Sequence, residues 1–264
     1  MADEAALPLT ADRLGVALHT RWLGREFEGL PVCPSTSDLL AERARAGAQA
    51  GLVIAADAQT DGRGRLGRTW HSPPGENLYV SLLLRPRRPA VEIPPLTLLA
   101  GAAVARAVAP LGVAPRLKWP NDVQLVDAGG RRRKLAGVLT EMASSGARAE
   151  HVVVGVGLNV NAAAFPDELA DRATSLCLAT GQPVDRARVL AALLDAFEPL
   201  YDEFERRGPA VAVAAFTEYA GLPDRCRVDD RLQGVALGVD PDGALRLRDD
   251  AGQIHRVISG EVQT

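Results

Sequence analysis

Between residues 59 and 85 the chain reads QTDGRGRLGRTWHSPPGENLYVSLLLR. Glycines at 62, 64 and 67 let a backbone approach a ligand closely and adopt angles closed to other residues. The interleaved Arg63, Arg65 and Arg68 carry planar forks that suit carboxylate or phosphate. Arg63 and Arg65 stand two apart, so in an extended segment they point to the same side. Such a tract suits a disordered RNA-binding tail, a nucleotide loop, or a flexible surface turn; held between rigid strands, it suggests a lid that orders over an anion. A second signal is the choice of cation. Of 30 basic residues only Lys118 and Lys134 are lysine, which suggests two positions that need a compact ammonium rather than a guanidinium. Ser35, Thr36 and Ser37 cluster where a helix should begin, as caps or as ligand-binding hydroxyls. Asn159 follows the apolar run HVVVGVGL, where its amide could read an adenine edge.

The elements around these residues decide between the readings of the tract. TADRLGVALHTRWLG reads as a short amphipathic helix capped by Thr10, and FEGLPVCPSTSDLLAERARAGA as strand, loop and helix. GLVIAADAQ and NLYVSLLLR are apolar strands on either side of the tract, so it is a loop of a folded core and not a tail. GxGxxG is formally present at Gly62, Gly64 and Gly67, but Pro73 and Pro74 forbid the helix that a dinucleotide turn requires. LTLLAGAAVARAVAPLG is expected as a buried helix. RLKWPNDVQLVD and KLAGVLTEMAS are expected as two strands joined through AGGRRR. HVVVGVGLNV is a further strand, and the 3.6-residue periodicity from Asp185 to Gly221 gives two helices. From Arg225 onward, short alternating strands are punctuated by DPDG and DDAG, which reads as a small barrel appended to an α+β domain.

Composition narrows the classes. The chain has 264 residues, 47% hydrophobic and 24% charged, with a formal net charge of −3. That charge argues against a dedicated nucleic-acid binder. The acidic start MADEAALPLT lacks the order of a secretory signal. Arg106 and two prolines interrupt the longest apolar run. Cys33, Cys177 and Cys226 stand far apart, as do His19, His71, His151 and His255, so neither a disulfide framework nor a zinc site is written. A cytoplasmic location is expected.

In order, the segments PSTSDLL, AQTDGRGRLGRTW, LKWPNDV, KLAGVLTE and GVGLNVN resemble the biotin protein ligases (biotin–[acetyl-CoA-carboxylase] ligases). The resemblance runs from about Val32 to the end of the chain, and the Gly–Arg loop, KWPND and KLAG carry most of it. It implies an α+β fold: a mixed β-sheet catalytic domain flanked by helices over residues 1–222, then a small C-terminal SH3-like β-barrel over residues 223–264. It implies an enzyme that uses ATP and magnesium to convert biotin into biotinyl-5'-AMP with release of pyrophosphate. Biotin then passes to one lysine of the carboxyl carrier domain of an acyl-CoA carboxylase. With no DNA-binding segment before the first core strand, the monofunctional class is expected, and not a transcriptional repressor.

Carried over by motif, the resemblance makes Ser35, Thr36, Ser37 and Gln59 the lining of a biotin pocket. It makes Gly62, Arg63, Gly64, Arg65 and Trp70 part of the loop that folds over the ligand. Lys134 would sit beside the biotin carboxylate and the α-phosphate, with Gly137 in the same motif, and Asn159 against the adenine. Lys134, Arg65 and Arg63 form the expected catalytic set. Ser37 departs mildly from the family, in which many members have asparagine. Lys118, Asn121 and Asp122 are further candidates, and Asp122 either helps to position magnesium or holds a strand bend. No fixed metal site is expected. The expected partners are biotin, ATP and the carrier domain, without nucleic acid or membrane, for a monomer or homodimer. A lipoate or octanoate ligase of the same superfamily is the nearest rival; the Gly–Arg loop and KWPND favour biotin.

Overall fold

The computed structural model describes residues 7–127, 129–222 and 225–263. Residues 1–6, Ala128 in the AGGRRR connection, the expected domain boundary at 223–224, and Thr264 lie outside the described residues. Strands β1 (Phe27–Leu30), β2 (Val53–Ala56), β3 (Leu78–Leu84), β4 (Pro115–Lys118), β5 (Asp122–Val126), β6 (Arg132–Ser145) and β7 (Arg148–Leu158) form one sheet. Their order is β1-β2-β3-β7-β6-β5-β4. Only β1 and β2 pair in parallel, so the sheet is mixed, as expected. The helices are α1 (Ala11–Ala17), α2 (Thr36–Arg45), α3 (Leu96–Val108), α4 (Asp167–Ala170), α5 (Leu176–Thr180), α6 (Arg186–Arg207) and α7 (Ala210–Tyr219).

Strand alternation sends one set of side chains to each face of the sheet. Leu78, Val80, Leu82 and Leu84 of β3, with Val152, Val154, Val156 and Leu158 of β7, join the main core beneath α1, α3, α6 and α7. The intervening positions face α2. There Leu83 and Val153 pack with Leu40 and Ala44, but the next rows are polar or bare. Ser81 pairs with Gly155 and through it with Leu139, and Tyr79 with Gly157 and Gly137. The α2 side of the sheet is therefore apolar at one end and a glycine-floored trough at the other.

The parallel β1–α2–β2 unit sets what lies over that trough. A parallel pair needs a crossover, here α2, whose N-terminus lies at the same end as the chain leaving β2. The bridge between Cys33 and Gln59 fixes that proximity. Ser35 caps α2 by accepting the Asp38 N–H, so the three hydroxyl residues and the Gly–Arg loop arise side by side.

One expectation about the elements needs correction. RLKWPNDVQLVD is two strands and not one: the chain turns at Trp119–Asn121, because Pro120 has no N–H for a neighbouring strand, and Lys118 pairs directly with Asp122 across β4 and β5. Between β7 and α6 lie the short helices α4 and α5, which carry no long periodic pattern. The stretch Ala90–Leu111 has the length and hydropathy to cross a membrane, yet 72% of its most apolar window is buried inside the protein. Its helix, α3, is a core helix. The C-terminal strands β8 (Cys226–Val228), β9 (Leu232–Val239), β10 (Leu245–Arg248), β11 (Ile254–Val257) and β12 (Val262–Gln263) form an antiparallel sheet ordered β11-β10-β9-β8-β12, the expected small SH3-like unit.

One buried carboxylate ties the helical layer to the N-terminal segment. Glu198 of α6 is 4% exposed and accepts the backbone N–H groups of Arg21 (2.8 Å), Trp22 (2.9 Å) and Leu23 (2.9 Å). Burial alone would raise its pKa, but the N–H groups of Leu23, Arg21 and Trp22 outweigh it and hold the carboxyl below the usual range. A lowered carboxylate pKa contributes stability above the unfolded value and loses it as pH falls through the folded one. Glu198→Ala is expected to lower stability by about 3 kcal/mol at neutral pH, read from urea midpoints. The gap to wild type should narrow in acid. An unchanged midpoint at neutral pH would show that water replaces the carboxylate.

Candidate functional site

The trough opens into a cavity of about 740 Å³, within the usual range for a small-molecule site. Every candidate site residue carried over by motif lines it except Gly62. Its hydroxyl end is a buried network. The Thr36 and Ser81 hydroxyls are 2.8 Å apart and those of Ser37 and Ser81 3.0 Å. Gln59 Oε1 accepts the Thr36 N–H at 2.9 Å, while its Nε2 donates to Ser72. Ser81 was not foreseen, although one hydroxyl inside the apolar run LYVSLLL is a visible signal. So is the glycine pair spaced by two in VGVGL: a Cβ on Gly155 would meet Ser37 Oγ at 2.6 Å.

Gly62 acts by packing, since a Cβ there would lie 2.7 Å from the Trp70 carbonyl. It lets the loop close as a small hairpin, with Trp70 N–H donating to Gly62 and Gly64 N–H to Arg68. The arginines then diverge. Arg65 opens a turn after the extended Gly64, and the two side chains find separate partners although both line the cavity. Arg63 grips both oxygens of Glu141 at 2.9 and 2.8 Å and Asp38 at 2.6 Å. Arg68 holds Glu261 of the C-terminal sheet. Among the described residues Arg65 has only neutral hydrogen-bond partners, Asn121 Oδ1 at 3.1 Å and the Gly260 carbonyl at 3.4 Å. Burial pulls its pKa below the usual guanidinium value despite Asp122 and Asp229 nearby.

Trp70 lies flat on the glycine floor. A Cβ on Gly157 would stand 2.3 Å from its ring, and one on Gly137 2.9 Å. The indole N–H is buried without a partner among the described residues. Lys134 Nζ sits 5.2 Å from the ring centroid and 2.7 Å from Asp122. The Lys134 backbone is held on both sides, its N–H by Arg172 O and its C=O by Thr174 N–H. Asn159 donates to Thr174 O at 3.0 Å, so the segment 172–174 positions both Lys134 and Asn159. Nothing in the composition of RATSL announced that role. Trp119 reaches the Gly243 carbonyl of the C-terminal sheet and is a core residue. Lys118 lines the cavity with no ion-pair partner among the described residues.

Comparison with known proteins decides the family. The model of the biotin/lipoate A/B protein ligase family matches residues 29–159, and that of the biotin protein ligase C-terminal domain residues 225–263. The chain is 36% identical to a bifunctional ligase/repressor of Bacillus spizizenii over 97% of this chain and 79% of that one. It belongs to the biotin protein ligase family. A biotin–[acetyl-CoA-carboxylase] ligase of Mycobacterium tuberculosis is also 36% identical, over 86% of this chain and 84% of its own. Among solved structures, the Aquifex aeolicus biotin protein ligase in complex with biotin and ATP aligns with a TM-score of 0.76 at 29% identity, covering 90% of this chain and 98% of that one. The family is one of ligase enzymes, and its C-terminal unit here supplies Gly260 and Glu261 to the cavity wall.

Within a biotin protein ligase site, the glycine floor is open to test. Gly157→Ala should push the indole off the sheet and lower ligase turnover by on the order of tenfold or more. Steady-state assays with a thermal melt check this. Full turnover would mean that the floor accommodates a methyl.

Proposed function

We propose that the chain adenylates biotin with ATP, retains biotinyl-5'-AMP, and transfers biotin to a lysine of the carboxyl carrier domain of an acyl-CoA carboxylase. The observation that carries this reading is the polarity of the cavity. Neutral hydroxyls and an amide occupy one end. Toward the other end, where Asp122, Asp171 and Glu261 also line the wall, Arg65, Lys118, Arg132 and Arg172 have no carboxylate ion pair among the described residues. Ser35, Thr36, Ser37 and Gln59, with Ser81 behind them, suit a neutral polar ring such as a ureido group, and the cations without a carboxylate partner suit a polyphosphate.

The chemistry follows from charge. A carboxylate oxygen attacks the α-phosphorus, and the bond to the bridging oxygen breaks so that pyrophosphate leaves with the electron pair. Two anions must meet, and Lys134 offsets the charge by trading Asp122 for the phosphate. Magnesium that accompanies ATP needs only one or two protein carboxylates, and Asp122, released from Lys134, is placed to offer one. In the second step the neutral amine of the acceptor lysine attacks the acyl carbon and AMP leaves. The loop arginines keep water from the mixed anhydride meanwhile.

The reading assigns no nucleic-acid role, in keeping with the net charge of −3. It divides the chain into a catalytic unit, 1–222, and a C-terminal unit, 223–264. It places the protein in the cytoplasm, in keeping with free Cys33, Cys177 and Cys226. A biotin-dependent ATP–pyrophosphate exchange assay with lipoate as control tests it. Exchange with biotin alone is expected. Exchange driven equally by lipoate, or by neither acid, would defeat it.

A further inference from the structure

Strand β6 runs the length of the cavity, and its residues read the site in order. Leu139 pairs with Gly155 beside the hydroxyls of Ser37 and Ser81, and Gly137 lies under Trp70. Lys134 holds the centre, and Arg132 comes two residues further on. Two residues along a strand are roughly 7 Å and return the side chain to the same face. Arg132 therefore stands on the far side of Lys134 from the hydroxyl end.

That position has a chemical meaning, which rests on the adenylation reading above. In phosphoryl and nucleotidyl transfer the attacking and leaving oxygens are roughly in line. If the acid attacks from the hydroxyl end, the leaving group departs toward Arg132. The residue is prepared for an anion there. Its guanidinium donates from Nη1 to the Gly221 carbonyl, and no carboxylate pairs with it among the described residues. Most of its five donors thus stay available. Gly221 leaves room for this approach, since a Cβ there would lie 2.9 Å from Arg132 Nη1 and 3.1 Å from Arg116 Cβ. Gly221 N–H donates to Leu117 O, which anchors the pair to the strand that ends in Lys118.

We propose that Arg132 is the anchor for the leaving pyrophosphate, gripping it by the guanidinium edge left free by Gly221. Arg132 precedes the KLAG motif and was not among the site residues foreseen; the triplet Arg131–Arg133 reads from sequence as a solvated connection. Of its neighbours, Arg131 is occupied by Asp127 at 3.0 Å.

The two half-reactions separate this role from a structural one. Enzyme-bound biotinyl-AMP is made with wild type, Arg132→Ala and Arg132→Lys, and pyrophosphate is titrated in to drive the reverse reaction to ATP. Arg132→Ala should need at least tenfold more pyrophosphate for half-maximal reversal, and Arg132→Lys an intermediate amount. Single-turnover transfer from preformed biotinyl-AMP to the carrier lysine contains no pyrophosphate and should stay within twofold of wild type. An unchanged pyrophosphate requirement in both variants overturns the proposal, as does an equal loss in both half-reactions. Should the alanine variant fail to fold, the lysine variant alone decides by the same ratio. A wild type that makes no biotinyl-AMP from biotin and ATP defeats the adenylation reading itself, and Arg132 with it.

Discussion

Lys134→Ala should slow adenylate formation by two to three orders of magnitude, and Lys134→Arg should not restore it. A preorganised donor aimed at developing charge is typically worth about 3–4 kcal/mol of barrier. Lys134 is held for that task by more than its own side chain. Both backbone hydrogen-bonding groups are taken by the segment 172–174, and the ammonium is steered by Asp122 at 2.7 Å and by the Trp70 ring. The space is small: a Cβ on Gly137 would already lie 3.3 Å from Nζ. A guanidinium is broader, planar and one atom longer in reach, so it cannot place a point charge there without moving the indole. Removing the lysine also leaves Asp122 facing the incoming phosphate, which adds repulsion to lost attraction. Rapid-quench measurement of the first turnover checks this. Near-wild-type adenylation by Lys134→Arg would end the argument from lysine usage, in which the chain's two lysines both line one cavity.

Local signals were the ones that could be read in advance. The cap at Ser35, the periodicity of α6 and the apolar strands around the Gly–Arg loop depend on neighbours within a few residues, and they stand where expected. The break between β4 and β5 is legible only when Pro120 is read as a missing donor, which KWPND as a motif does not announce. The partners of the loop arginines were out of reach for another reason. Arg63 meets Glu141, and Arg68 meets Glu261, across 78 and 193 residues. Such pairs are set by how β6 and the C-terminal sheet come round to the lid, and no local pattern encodes it. The same distance effect hid Arg132, whose significance lies in its order along β6 relative to Lys134.

Arg65→Gly should still form biotinyl-AMP but release it about thirtyfold to a few thousandfold faster, so that bystander lysines become biotinylated. Losing one partner of a buried charged pair typically costs about 2–5 kcal/mol and appears in the dissociation rate. The division of roles within the lid explains why release, and not collapse, is expected. Arg63 bolts the lid to β6 and α2 through Glu141 and Asp38, and Arg68 bolts it to the C-terminal sheet through Glu261. Arg65 is half-buried with only neutral hydrogen-bond partners among the described residues, a partly desolvated guanidinium that an anionic ligand would compensate beyond the more distant Asp122 and Asp229. Its removal therefore leaves the lid attached and takes away the contact that closes it on the anhydride. Arg63→Ala should behave differently, freeing the lid from the sheet and leaving Glu141 and Asp38 facing each other. The distinction is measured by gel filtration of enzyme loaded with labelled biotin, alongside biotin incorporation into an unrelated lysine-rich protein. Arg65→Gly enzyme that forms no adenylate, or that holds it as long as wild type, would mean that the charge serves the chemical step or the lid fold and not retention.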